Sequence, residues 1–228
     1  MKLVVISCWN YRDAWKPFFE LLEHYWPNHP KAWLLTDRLE HIEYPEPINA
    51  TIFSCGASLS WCGVLNSFLD KQNEEPILLM QEDFFFTAPV KHALVQMAQE
   101  HLRVETIGAV RLYPMPGANV PSEDQYFGKV SRGSAYRISC QASIWRPSFL
   151  SAIARQCTTP WNFETVGGPY ADVHLKEDVL AYKRDVQPWP MDYLCSGISA
   201  GIWNPDSKRL CDRLGIENDW SMRRMAAV

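Results

Sequence analysis

Short runs of consecutive apolar residues alternate along the chain with stretches whose apolar residues recur every three to four positions. That is the pattern of buried strands and of the helices that cover them. Residues 3–6 (Leu-Val-Val-Ile) do not alternate with polar residues, so they read as a strand buried on both faces. Trp15, Phe18, Phe19, Leu22 and Trp26 follow at helical spacing, and Pro27 ends that helix. A second short strand, residues 32–35, stops at Thr36-Asp37. Pro45 and Pro47 mark a connection, and Leu59, Cys62, Leu65, Phe68 and Leu69 then predict a helix leading to a third strand, residues 77–80. This strand runs into Gln81-Glu82-Asp83 and then three phenylalanines. Unpaired charge is costly to bury, so the two carboxylates are expected at the open carboxyl end of the strand, where α/β sheets bind ligands.

The second half continues the alternation less regularly. Residues 90–102 read as a helix and residues 107–112 as a strand, with Arg111 at its end to meet a phosphate or an ion-pair partner. Pro114, Pro116, Gly117 and Pro121 predict a long surface loop over about residues 113–128. Ile144 and Trp145 close a strand-like run, Pro147 opens a short helix, and residues 161–168, rich in aromatics and glycine, read as a second loop. The clearest helix signal comes last: Asn204 as cap, Pro205 in the first turn, Leu210 and Leu214 on one face, Gly215 just past the end. No linker splits the chain, so all 228 residues are expected to form one domain.

Composition narrows the classes of function. A hydrophobic content of 47% suffices for a packed core, and a net charge of −4 argues against a protein that holds nucleic acid mainly by neutralising phosphates. The seven cysteines are widely spaced with no Cys-x-x-Cys, which suits reduced thiols in a cytoplasm. No apolar run approaches the ~20 residues of a membrane span, and the N-terminal run falls short of a signal-peptide core. The expected setting is therefore soluble and cytoplasmic.

Glycine-rich dinucleotide and triphosphate loops, the His-Glu-x-x-His zinc motif and the Gly-x-Ser-x-Gly elbow are all absent. What remains is a set of carboxylates at strand ends together with aromatic loops. Hard oxygen ligands of this kind suit magnesium or manganese, which keep coordination places for the phosphate oxygens of a nucleotide.

The opening strand with its helix, Leu34-Leu35-Thr36-Asp37, Gln81-Glu82-Asp83, Gln141-Ala142-Ser143-Ile144-Trp145-Arg146 and Pro160-Trp161-Asn162-Phe163-Glu164 together resemble, in order and spacing, a small GT-A-type glycosyltransferase. The resemblance implies a single Rossmann-like α/β domain with a mixed, mainly parallel central sheet flanked by helices. Its nucleotide-sugar half would be about residues 1–112 and its acceptor half about residues 113–228. It also implies a nucleotide-sugar donor, UDP-linked, and an inverting transfer to a hydroxyl of a glycan, a protein or a modified nucleic-acid base. In such enzymes an Asp-x-Asp motif holds a divalent metal on the donor diphosphate. This chain departs from that pattern, because Gln81 stands in the place of the first Asp, so Asp83 inherits the Mn2+ or Mg2+ role by position, with Gln81 and Glu82 on the donor side; the alternative is that Glu82-Asp83 is a solvated strand end or caps the next segment. Ser7, Trp9, Asn10 and Asp37 fall where the nucleoside is contacted, Asp37 with a turn role as its alternative. Glu164 corresponds to the acidic residue that takes the proton of the attacking hydroxyl; the alternative is that Trp161 and Phe163 are core and Glu164 caps a helix. Gln141, Trp145 and Trp161 would shape the acceptor cleft, with Trp145 equally readable as core. His174 lies where some of these enzymes place a further metal ligand, although Asp172, Lys176, Glu177 and Asp178 around it read as a solvated face. Two rivals remain: nucleotidylyl transfer, which Ser7-Cys8-Trp9-Asn10 disfavours by lacking a glycine, and a non-catalytic carbohydrate-binding or degenerate transferase domain.

Overall fold

Strand β1 (Lys2–Ile6) is completely shielded from solvent over its last four residues, and its side chains alternate between two cores. Leu3 and Val5 join one apolar layer, Val4 and Ile6 the other. The first layer is built on α1 (Trp15–Tyr25), which buries Trp15, Phe18, Phe19, Leu21 and Leu22 after a short 3-10 turn, Trp9–Ala14. We describe residues 1–38, 48–55 and 59–227 in a computed structural model of the protein. The connection expected at Pro45 and Pro47 lies outside the described residues.

The chain then forms β2 (Ala32–Thr36), β3 (Ala50–Ser54), α2 (Trp61–Leu69), β4 (Ile77–Gln81), α3 (His92–His101), β5 (Ile107–Arg111), β6 (Phe127–Val130), β7 (Ser143–Trp145) and α4 (Pro147–Ala154). Two short helices, α5 (Pro160–Thr165) and α6 (Gly167–His174), precede β8 (Asp178–Tyr182). A small hairpin of β9 (Ile198–Ser199) and β10 (Ile202–Trp203) leads to α7 (Pro205–Leu214) and a last 3-10 turn, Trp220–Met222. The main sheet has the order β3-β2-β1-β4-β7-β5-β8-β6, with β1 to β5 and β8 parallel apart from the antiparallel β7, and β6 antiparallel at the edge. The protein is thus a mixed, mainly parallel α/β domain, and apolar strands such as β1 and β4 show no polar alternation because both faces are covered. Among the described residues no helix is long and apolar enough to cross a membrane.

Several expectations are corrected here. The loop expected over residues 161–168 is helical. Thr159 accepts a hydrogen bond from the Asn162 amide, Pro160 opens α5, and Gly167 lets α6 approach α4 so closely that a Cβ there would lie 2.6 Å from Ile153. The glycine that reads as a loop signal is a packing device. Among the described residues Arg111 forms no ion pair; its guanidinium is buried and donates to the carbonyls of Pro116, Tyr136 and Arg137 at 2.6 to 2.8 Å, tying the 113–126 loop to the end of β5. Burial lowers its pKa to about 10. At the last helix the reading and the fold agree: the Asn204 side chain accepts from the Asp206 amide at 3.0 Å, and Gly215 adopts a φ of 71° past the C-terminus.

Candidate functional site

β1 has β2 on one side and β4 on the other, so the chain leaves β1 in one direction and returns to build the sheet in the other. At such a reversal the loops after the strands diverge and leave a crevice at their carboxyl ends. The protein has a cleft of about 690 Å³ there. Ser7, Cys8 and Tyr11 enter it from the segment after β1, Asp37 from the end of β2, and Gln81, Glu82 and Asp83 from the end of β4. Because β7 is antiparallel, its starting end shares this edge, which brings in Cys140 and Gln141. Helix α5 supplies Trp161 and Glu164, and the segment from Cys195 to Ala200, with Asn204, closes the remaining side.

Glu82 and Asp83 are both nearly shielded, each 7% exposed. Asp83 accepts from the Ile198 amide at 3.3 Å, and its main-chain carbonyl accepts from the Gly197 amide at 2.8 Å, so the 196–198 segment is seated on this strand end. Desolvation raises the Asp83 carboxyl to about 6, against hydrogen bonds from Ser196 and Ile198 and the charge of Arg223. Burial, and then the neighbouring Asp83 charge, push Glu82 well above the ordinary carboxylate range. Asp37 is held from the other side, accepting from the Trp9 amide at 2.8 Å and the Thr36 hydroxyl at 3.2 Å. Ser7 is fixed by the Trp15 indole N–H, which donates to its Oγ at 2.6 Å.

Beside the start of β7, Glu164 is half-buried, and its Oε1 accepts from the Cys140 amide at 2.9 Å and from the Ser139 hydroxyl at 3.2 Å. Gln141 is oriented at both ends: its Oε1 accepts from the Tyr193 hydroxyl at 2.7 Å, and its Nε2 lies 2.9 Å from the Cys195 sulfur. Trp161, three residues before Glu164 and therefore on the same side of α5, is 71% exposed at the cleft mouth.

The structure thus gathers Ser7, Asp37, Gln81, Glu82, Asp83, Gln141, Trp161 and Glu164 around one cleft. Four expected residues lie elsewhere. Trp145 is 2% exposed, packed against Phe149 and Phe163 in the second core layer, because the antiparallel β7 ends there, beside Ile77 at the end of β4 away from the cleft. His174 ends α6 against Tyr170, where Arg132 gathers the carbonyls of Ala171, Asp172 and Leu175, and it does not reach the cleft wall. Trp9 is buried with its ring edge-on to Trp15, and Asn10 is exposed and offers its carbonyl to Arg223 rather than its side chain to the cleft. Tyr11 and the 195–200 segment were not anticipated. The first follows β1 closely enough to be sought there; the second carries no local signal, since only its tertiary seat on Asp83 brings it in.

The charge balance of the lining is one-sided. Among the described residues it holds four carboxylates, Asp37, Glu82, Asp83 and Glu164, and no lysine, arginine or histidine. Glu82 and Asp83 are the adjacent pair through which a hard cation could be held, and among the described residues no cluster of three or more His, Cys, Asp or Glu side chains is preformed for a metal.

No family model matches the chain, and no curated protein matches it in sequence. Solved structures match in fold. S. aureus TarS 1-349 in complex with UDP superposes with a TM-score of 0.50 at 12% identity over 81% of this chain and 58% of that one. A second S. aureus TarS structure gives 0.49 at 12% identity, over 81% of this chain and 35% of that one. The 2-C-methyl-D-erythritol 4-phosphate cytidylyltransferase from Thermus thermophilus gives 0.47 at 11% identity, over 85% and 93%. This chain therefore spans little more than half of the TarS 1-349 chain, and at 12% identity that likeness bears on the architecture alone, the mixed, mainly parallel α/β domain described above.

Proposed function

We propose that the protein is a glycosyltransferase that moves a sugar from a nucleotide-sugar donor, UDP-linked, to an acceptor hydroxyl with inversion. The observation that carries this reading is that the Gln81-Glu82-Asp83 strand end and Glu164 line one cleft at the reversal point of the sheet. The fold match to TarS 1-349, a structure in complex with UDP, is consistent with it.

The nucleoside end of the donor is assigned to Ser7, Tyr11 and Asp37, at the ends of β1 and β2. The diphosphate then falls toward Gln81, Glu82 and Asp83. Among the described residues the lining offers a dianionic diphosphate four carboxylates and no basic side chain, so counter-charge is needed, and these residues fit a divalent cation, Mn2+ or Mg2+, that Asp83 and Glu82 would hold. When bound, such an ion supplies charge neutralisation for the departing diphosphate. Glu164 serves as the base. Its Oε1 is held by the Cys140 amide and the Ser139 hydroxyl, which leaves Oε2 to take the acceptor's proton. As that proton moves to Glu164, the acceptor oxygen bonds to the anomeric carbon on the face opposite the leaving group. The bond from that carbon to the diphosphate oxygen breaks, and its electron pair leaves with the nucleoside diphosphate. Gln141 and Trp161 border the acceptor, Trp161 by offering an exposed ring face to a sugar.

Saturation-transfer NMR with a panel of UDP-, GDP-, CDP- and dTDP-sugars in the presence of manganese tests this reading. Binding of one nucleotide sugar, displaced by its own nucleoside diphosphate, supports it. Failure of every member to bind, or release of pyrophosphate from a nucleoside triphosphate and a sugar phosphate, overturns it.

A further inference from the structure

The end of the chain returns to the cleft from behind. The Trp203 amide donates to the Arg224 carbonyl at 2.8 Å and the Ala226 amide to the Trp203 carbonyl at 2.9 Å, which stitches the last residues alongside β10. This delivers Arg223 under the 3-10 turn that follows β1. Its Nε donates to Asp13 Oδ2 at 2.6 Å, and its Nη2 donates both to Asp13 Oδ1 and, at 2.7 Å, to the Asn10 carbonyl. The guanidinium carbon also stands 4.5 Å over the Tyr11 ring and 5.5 Å over the Trp203 ring.

Asp13 is fully buried and the Arg223 side chain is 10% exposed. A buried pair recovers its desolvation cost only with such geometry, and an apolar pair of similar volume is often no less stable. Stability alone therefore does not account for placing an arginine here. What the arrangement does fix is the turn. Tyr11 is the one residue of Trp9–Ala14 with non-helical backbone angles (φ −111°, ψ 15°), its ring lines the cleft, and Arg223 grips the turn on both sides of it, at Asn10 and at Asp13.

We propose that Arg223 is a positioning residue for the donor: through Asp13, the Asn10 carbonyl and the Tyr11 ring, the C-terminal segment sets the wall against which the nucleoside rests. This rests on the reading of the cleft as a donor site. Arg223 itself stays behind the wall and is outside the cleft lining.

The test is calorimetric titration with UDP, CDP and GDP, each with manganese, of the parent and of Arg223→Met, Arg223→Lys, Asp13→Asn, Tyr11→Leu and Arg224→Met, well below every melting midpoint. For the nucleotide that binds the parent, Arg223→Met should weaken affinity at least tenfold, and Arg223→Lys should recover part of it, since an ammonium cannot span both Asp13 oxygens and the Asn10 carbonyl. The exposed neighbour Arg224 should be replaceable without effect. Arg223→Met combined with Tyr11→Leu should bind no more weakly than Tyr11→Leu alone, a non-additivity that general loosening of the fold would not produce. A folded Arg223→Met that binds like the parent overturns the proposal; should that variant not fold, unchanged affinity in both Arg223→Lys and Asp13→Asn does so. If no nucleotide binds the parent, the donor-site reading itself fails, and this inference with it.

Discussion

Two substitutions at Glu164 separate its chemistry from its structural contacts. Glu164→Gln keeps an oxygen for the Cys140 amide and the Ser139 hydroxyl but removes the proton acceptor. Loss of a general base costs about 10²–10⁴-fold in turnover. At about 1.4 kcal/mol per tenfold this is roughly 3–5 kcal/mol of transition-state stabilisation, with donor affinity unchanged. Glu164→Ala removes the acceptor of both donors, and Cys140 and Ser139 are buried. Leaving buried donors unsatisfied costs about 1–3 kcal/mol, and in a domain of this size each kcal/mol lowers the melting midpoint by about 2–4 °C. The Gln variant should therefore melt with the parent while the Ala variant melts several degrees lower, and both should lose turnover alike. Calorimetric melting and release of nucleoside diphosphate from the cognate nucleotide sugar, once an acceptor is in hand, read the two effects. A Glu164→Gln enzyme that keeps more than a tenth of parental turnover would remove Glu164 from the mechanism.

Asp83 predicts a pH dependence in the metal-free protein. Its carboxyl is raised from an ordinary 3.8 to about 6, so the folded state holds the proton more tightly than the unfolded state. This contribution is present at low pH and is lost as pH rises from about 4 through about 6. Glu82, raised for the same reason and by Asp83 itself, extends the decline. Asp83→Asn should gain stability relative to the parent across that window, and parallel melting midpoints for the two proteins across it would refute the account. Trp145 and Trp161 should behave oppositely. Trp145→Ala empties a core site and should cost about 3–5 kcal/mol in denaturant melts. Trp161→Ala, at an exposed position, should change stability by less than about 0.5 kcal/mol yet weaken acceptor use, seen as a raised acceptor KM. A stable Trp145→Ala protein or an unaffected acceptor KM in Trp161→Ala would contradict the respective assignment.

The elements legible in the sequence are those that carry their own signals. β1 and β4 are unbroken apolar runs, α1 has its stripe, and α7 has Asn204, Pro205 and Gly215 at the right offsets. β3 went unread because it lies at the sheet edge with every residue only half-buried, and its residues show no run or alternation strong enough to mark them. Residues 161–168, which form α5 and the start of α6, read as a loop partly because Gly167 is needed for contact with Ile153, a reason that lies in another helix. That Asp37 and Glu82-Asp83 would share one edge of the sheet was legible because parallel strands deliver the residues after their last apolar position to one end. The place of Trp145 was not, since a short strand does not declare its direction, and the antiparallel β7 leaves Trp145 at the end of the sheet away from the cleft. The 195–200 wall depends on hydrogen bonds from Gly197 and Ile198 to Asp83, more than a hundred residues away in the chain.

The most direct test of the central claim is isothermal calorimetry of UDP with and without manganese on the parent and on Asp83→Asn, a substitution that keeps the side chain's shape and removes its charge. The account predicts binding by the parent that requires manganese and is lost or strongly weakened in Asp83→Asn. Binding that is indifferent to both the metal and Asp83, or no binding of UDP or of any other nucleoside diphosphate, would contradict it.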